Sequence, residues 1–175
     1  MTGKILGIIL LVSALIAGIA MYYLQVYAFY REVTPTGVDD VQIMTLQGER
    51  EVILYEDFQA IDAESSPIRY RACFTTQTPL SSMLDIYEAY SGASPRKAPG
   101  WFACFDAEEI GDAIRSGRAH VFTSIRNLEF GIDRVVAITD DGRGFIWHEV
   151  NECGDKAYDG SPLGDDCPER DNGGS

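Results

Sequence analysis

The 175-residue sequence has little of what most catalytic sites are built from. Only two histidines occur, His120 and His148, so the side chain best suited to titrate near neutral pH is nearly absent. Four cysteines are present, yet none forms a CxxC pair, which argues against thioredoxin-type redox chemistry. No CxxCH offers covalent haem attachment. The chain has no GxxxxGK[ST] loop or GxGxxG turn to cradle a nucleotide phosphate, and no GxSxG elbow to present a serine nucleophile. The turn Asp140-Asp141-Gly142-Arg143-Gly144 lacks the alternating acidic spacing of a calcium loop. Accordingly no cofactor and no metal is expected.

Positive charge is scarce as well. The chain carries 14 basic residues against 27 acidic ones, a net of −13, and has no basic run. Residues 31–150 hold 11 basic against 20 acidic side chains, and residues 151–175 hold 2 against 7. Such a field repels phosphate backbones, so nucleic-acid binding is disfavoured.

One stretch has no charge at all. Ile5–Leu24 is twenty residues without a charge or a proline. At about 1.5 Å per residue it reaches about 30 Å, the hydrocarbon thickness of a bilayer. Tyr22, Tyr23, Tyr27, Phe29 and Tyr30 cluster at its end, where amphipathic rings favour the headgroup level. A cleaved signal peptide with Gly18-Ile19-Ala20 at its cleavage site is the rival reading. It would leave a greasy free terminus, whereas an anchor explains those aromatics. Residues 1–30 are therefore expected to anchor the chain in a bacterial inner membrane, N-terminus inside. Residues 31–40, rich in Pro, Gly and Asp, follow as a linker.

The pattern over 41–150 predicts one α+β domain, mainly antiparallel sheet with two helices. Strands are expected at Val41–Leu46, Val52–Tyr55, Phe58–Ile61, Pro67–Thr76, Trp101–Phe105, Ala119–Ile125, Ile132–Thr139 and Gly144–Val150. Helices are expected over Pro79–Tyr90 and from Asp106 to Gly117, the second opened by a capping-box-like Asp106/Glu109 pair. The Asp-Gly at 141–142 between apolar runs signals a hairpin. Residues 151–175 form an acidic tail, expected to be poorly ordered except where a bridge ties it.

Four candidates remain for ligand binding. Arg69 and Arg71 share one side of their predicted strand, with Arg126 a suggested neighbour, and clustered guanidinium groups can grip a carboxylate or phosphate. Pairing with acidic neighbours competes with that reading. His120 and His148 are expected as hydrogen-bonded, half-buried imidazoles on strands, and a Ser124–His148–Asp141 arrangement has no supporting motif. Local pairing of Cys73 with Cys104 and Cys153 with Cys167 is the simplest disulfide proposal. Four cysteines allow three connectivities, however, and a metal-carrying thiol pair stays open.

The segments PIRYRACFTT, PGWFACFDAEEIG and GIDRVVAITDDGRGFIWHEVNECG, together with the N-terminal helix running into YYLQVYAFY, resemble an uncharacterised family of alphaproteobacterial single-pass membrane-anchored proteins. The resemblance covers nearly the whole chain. It implies an anchored single-domain protein of unknown function and brings no catalytic residue with it. Two functional expectations follow: a non-catalytic periplasmic accessory module that works through an envelope protein partner, or a small periplasmic enzyme or ligand-binding domain using the Arg/His residues.

Overall fold

The structure is a computed structural model that describes residues 3–161, 164 and 167. It begins with α1, Gly3–Tyr23, continued by one π-helical turn over Leu24–Ala28. Together they make a helix long and apolar enough to cross a membrane, with none of its hydrophobic window covered by the rest of the chain. The absence of charge after Lys4 explains both properties: no charged side chain from Ile5 to Ala28 demands water or a partner.

The domain is α+β. Its principal sheet has six strands in the order β1-β4-β5-β8-β7-β6, all antiparallel. These are β1 (Arg31–Glu32), β4 (Glu56–Asp62), β5 (Arg71–Thr75), β6 (Ala119–Glu129), β7 (Ile132–Thr139) and β8 (Arg143–Val150). A hairpin of β2 (Gln42–Met44) and β3 (Arg50–Val52) stands apart in strand pairing. Residues 31–40, expected as a linker, start as the edge strand β1 and then turn around Asp40. The Asp40 carboxylate accepts from Thr36 N, Gly37 N and the Tyr55 hydroxyl.

Strand parity divides the core between two faces. On one face Ala72, Phe74, Val136, Ile138 and Ile146 pack beneath the hairpin residues Val41, Ile43 and Ile53. On the other, Val135, Ala137, Phe145 and Trp147 are covered by Phe102, Phe105 and Ile110. Both faces are dry, so the central strands read as near-continuous apolar runs. The hairpin at 140–143 forms as expected, with Gly142 at φ 82° and its carbonyl accepting from Thr76 N.

Four expected elements change. Of Val52–Tyr55 only Val52 is strand, at the end of β3. The helix expected over Pro79–Tyr90 shrinks to α2, Leu80–Met83. Beyond it the backbone extends, because tertiary hydrogen bonds outcompete helix propensity. The Ile86 carbonyl accepts from Leu46 N, Glu88 N donates to the Met44 carbonyl, the Glu88 carbonyl accepts from Thr123 N, and Tyr90 N donates to the Val121 carbonyl. This segment thus stitches the β2–β3 hairpin to β6. The strand expected at Trp101–Phe105 is a run of turns whose aromatics cover the sheet without pairing with it. Pro67–Thr76 divides into a 3₁₀ turn, Pro67–Arg69, and β5.

Helix α3, Ala107–Arg115, matches its signals. Asp106 caps it by accepting from Glu108 N and Glu109 N, and Ile110 and Ala113 are buried. Glu109 does not reach back to complete a capping box; it pairs with Arg143 on the neighbouring hairpin instead. Gly117, at φ 73°, ends the helix.

Candidate functional site

Arg71 lies on β5 and is 3 % exposed. Among the described residues its guanidinium makes no ion pair with a carboxylate and is spent on main-chain carbonyls. Nε donates to Arg96 O at 2.9 Å, Nη1 to Ile68 O at 2.8 Å and Tyr70 O at 2.6 Å, and Nη2 reaches Lys97 O at 3.5 Å. Burial pushes its pKa down to about 10, which leaves it charged at neutral pH. Glu149, buried on β8, holds the other end of the same loop. It accepts from Ser94 N at 2.5 Å and from Trp147 Nε1 at 2.6 Å. Two buried charges therefore pin residues 94–97 to the sheet, each satisfied by several hydrogen bonds as burial of a charge requires.

His148 occupies the opposite face. Its Nδ1 donates to the Pro67 carbonyl and its Nε2 accepts from Arg134 Nε at 3.0 Å, which sets the tautomer. The ring stacks on Tyr70 with centroids 5.1 Å apart, and Arg134 lies 4.5 Å over the same tyrosine. Burial, helped by the Arg134 guanidinium, pushes the His148 pKa down to about 4 despite the bond to Pro67. Burial likewise raises Tyr70 to about 12. A neutral imidazole with both nitrogens engaged has no lone pair or proton to offer a substrate.

The remaining candidates are not gathered. Arg69 leaves the strand at the 3₁₀ turn and sits 5.9 Å from the Tyr30 ring centroid. Arg126, on β6, pairs with Glu88. Because β8 and β7 separate β5 from β6, the three arginines form no common cluster. His120 is half-buried, and its side chain makes no hydrogen bond among the described residues, contrary to the expectation of a bonded ring. The Asp141 carboxylate is taken by Thr139 and Arg143, so the imagined Ser124–His148–Asp141 arrangement does not assemble.

The cysteines stand in two pairs at disulfide distance, Cys73 with Cys104 (Cα–Cα 6.2 Å) and Cys153 with Cys167 (5.5 Å). Among the described residues no group of three His, Cys, Asp or Glu side chains is arranged to hold a metal. Cys104 also borders a cavity of about 520 Å³ between the β1–β4 edge and the Trp101–Cys104 turns, walled by Val33, Phe58, Ile61 and Phe102. A second cavity, about 500 Å³, is polar and lies over Asp133, Tyr90 and Asn151. Asp133 Oδ1 accepts there from Asn127 N at 2.8 Å and Asn151 Nδ2 at 2.7 Å. Most of residues 162–175, including much of the expected disordered tail, lies outside the described residues.

Sequence reasoning missed one residue that shapes the molecule. Trp101 reaches back from the domain to the end of the N-terminal helix, where its Nε1 donates to the Val26 carbonyl at 2.7 Å. Its ring stacks on Tyr27 at 6.4 Å and meets Tyr30 edge-on at 6.2 Å. The last carbonyls of any helix lack intrahelical donors, and here an indole supplies one. The only sequence signal was a tryptophan opening the apolar run Trp101–Phe105 after a Pro-Gly pair, and nothing local tells such a residue where it will dock.

The sequence pattern of a family of unknown function, DUF6446, matches residues 41–168. The chain belongs to this family. The match spans β2 to β8 and the C-terminal cysteine pair, and begins only after the N-terminal helix and β1. No curated protein and no solved structure matches the chain.

Proposed function

We propose that this DUF6446 protein is a non-catalytic accessory module of the bacterial envelope, held in the inner membrane by α1 with its domain in the periplasm, and that it works by adding a partner strand to β3. One observation carries the reading. β3 is the open end of its sheet, with Arg50, Glu51 and Val52 all exposed. Around it Leu46, Val52 and Leu54 are 59 %, 49 % and 85 % exposed. An unpaired edge bordered by apolar side chains is a template for strand addition, and Arg50 and Glu51 limit it to partners of matching charge. The closed hydrogen bonding of Arg71 and His148 supports the non-catalytic part. Two cysteine pairs at bonding distance favour an oxidising compartment.

A photoreactive residue at position 54 of the full-length protein in living cells should give one discrete adduct. The same probe at Arg115, on the exposed far side of α3, should give none. Leu54→Glu should prevent the adduct formed from a probe at 52. Equal labelling from 52 and 115, or no adduct from 52 and 54, would sink the interaction reading. A phosphatase reporter fused after Asp40 should be active; an inactive fusion would place the domain in the cytoplasm.

A further inference from the structure

The contact between Trp101 and Val26 fixes more than a hinge angle, because the anchor supplies a ruler. Twenty residues from Ile5 to Leu24 fill about 30 Å of hydrocarbon, so Val26 stands about 3 Å beyond it, in the headgroup layer. Trp101 donates to the Val26 carbonyl, and its depth is set with it. The loop that carries Trp101 is itself clamped by Arg71 and Glu149, so the domain cannot lift this loop without breaking buried hydrogen bonds.

Three cations lie at this end of a strongly acidic chain. Arg69 reaches the Tyr30 ring just past the helix, and Arg96 and Lys97 belong to the clamped loop. Among the described residues no carboxylate pairs with Arg69 or Lys97, and Lys97 is exposed. Arg96 comes only within 3.8 Å of Glu149, and its Nε is buried without a hydrogen-bond partner. Arg31, at the same end, is already paired with Glu64. A domain with net −9 over residues 31–150 should be pushed away from anionic lipid; Arg69 and Lys97, with Arg96 held only loosely by Glu149, reverse that locally.

We propose that Trp101 and Tyr30, with Arg69, Arg96 and Lys97, form a collar that seats the domain on the membrane and binds the phosphates of anionic phospholipids. The inference rests on α1 spanning the bilayer. Basic side chains at a membrane surface each favour anionic lipid by roughly fivefold, and aromatic rings hold the interfacial depth.

The test uses the full chain in lipid nanodiscs, so failure to incorporate would refute the anchor and incorporation isolates the collar. Two tryptophans emit, Trp101 and the fully buried Trp147. Phosphatidylcholine spin-labelled at the headgroup should quench the wild type more than Trp101→Phe. Trp147→Phe, which leaves Trp101 the sole emitter, should be quenched most. Spin-labelled phosphatidylglycerol should associate severalfold more than phosphatidylcholine. That preference should fall towards one in the Arg69→Gln/Arg96→Gln/Lys97→Gln protein and in 1 M salt. Incorporated protein whose Trp101 is unquenched, or whose wild type shows no preference for the anionic lipid, overturns the proposal.

Discussion

His148 makes a stringent test of the interior electrostatics, since its proton should be visible in stability. The unfolded ring titrates near 6.5, whereas burial holds the folded ring at about 4. Between those values the unfolded chain binds the proton and the folded chain does not. Stability is therefore unaffected above pH 6.5 and falls as pH drops from 6.5 to 4. At pH 4.5 the loss is about 2.6 kcal/mol, from the ratio of the two protonation polynomials. For a domain of this size that corresponds to roughly 10 °C in melting temperature. Glutamine at 148 can donate to the Pro67 carbonyl and accept from Arg134 as the ring does, but it does not titrate. His148→Gln should thus be less stable at pH 7.5, having lost the stack on Tyr70, yet should lose about 10 °C less than the wild type on going to pH 4.5. Asp40 and Asp141 have carboxyl pKa values held low by hydrogen bonds, and they titrate in both proteins, so the difference cancels them. Thermal melts in one detergent, followed by the near-ultraviolet signal of buried Trp147, give the measurement. Parallel pH dependences for the two proteins would show that the ring is not held neutral.

Replacing both Cys73 and Cys104 by alanine should lower stability by about 4 kcal/mol on loop-closure entropy for a separation of 31, read as a fall of more than about 10 °C in melting temperature. The Cys153/Cys167 double replacement should move the same transition little, because that pair ties only the tail beyond β8. Gly144→Ala should cost about 1–3 kcal/mol in denaturant unfolding, since a Cβ there would overlap the buried Phe74 ring. A cost below 0.5 kcal/mol would mean that β5 and β8 are not packed at this register.

Much of the architecture was legible because it depends on periods and on residues with strong local meaning. The uncharged run of Ile5–Leu24 favours a helix, because a single helix satisfies its own backbone polar groups wherever it sits. Asp106 and Gly117 bracket α3 by capping chemistry, and Asp141-Gly142 makes its turn from φ preference alone. The limits of β7 follow from its apolar content, as both of its faces are buried. The acidic balance disfavours nucleic acid without reference to shape.

Only the tertiary structure decided what the apolar and basic residues of the middle of the chain would touch. Leu80, Met83, Leu84 and Tyr87 have helical spacing, but the open amides of β2 and β6 recruit Ile86–Tyr90 as an extended connector. That choice depends on strands distant in sequence. Arg69 and Arg71, two residues apart and alike on paper, part company at the end of the 3₁₀ turn. One turns to the aromatic end of the N-terminal helix and the other is buried against loop carbonyls. Trp101 carries no periodic signal, and its partner is a backbone carbonyl 75 residues earlier. Local sequence determines which elements form because helix, turn and cap energies are local. Burial, pairing and docking are sums over contacts between remote segments, and they come into being only with the folded chain.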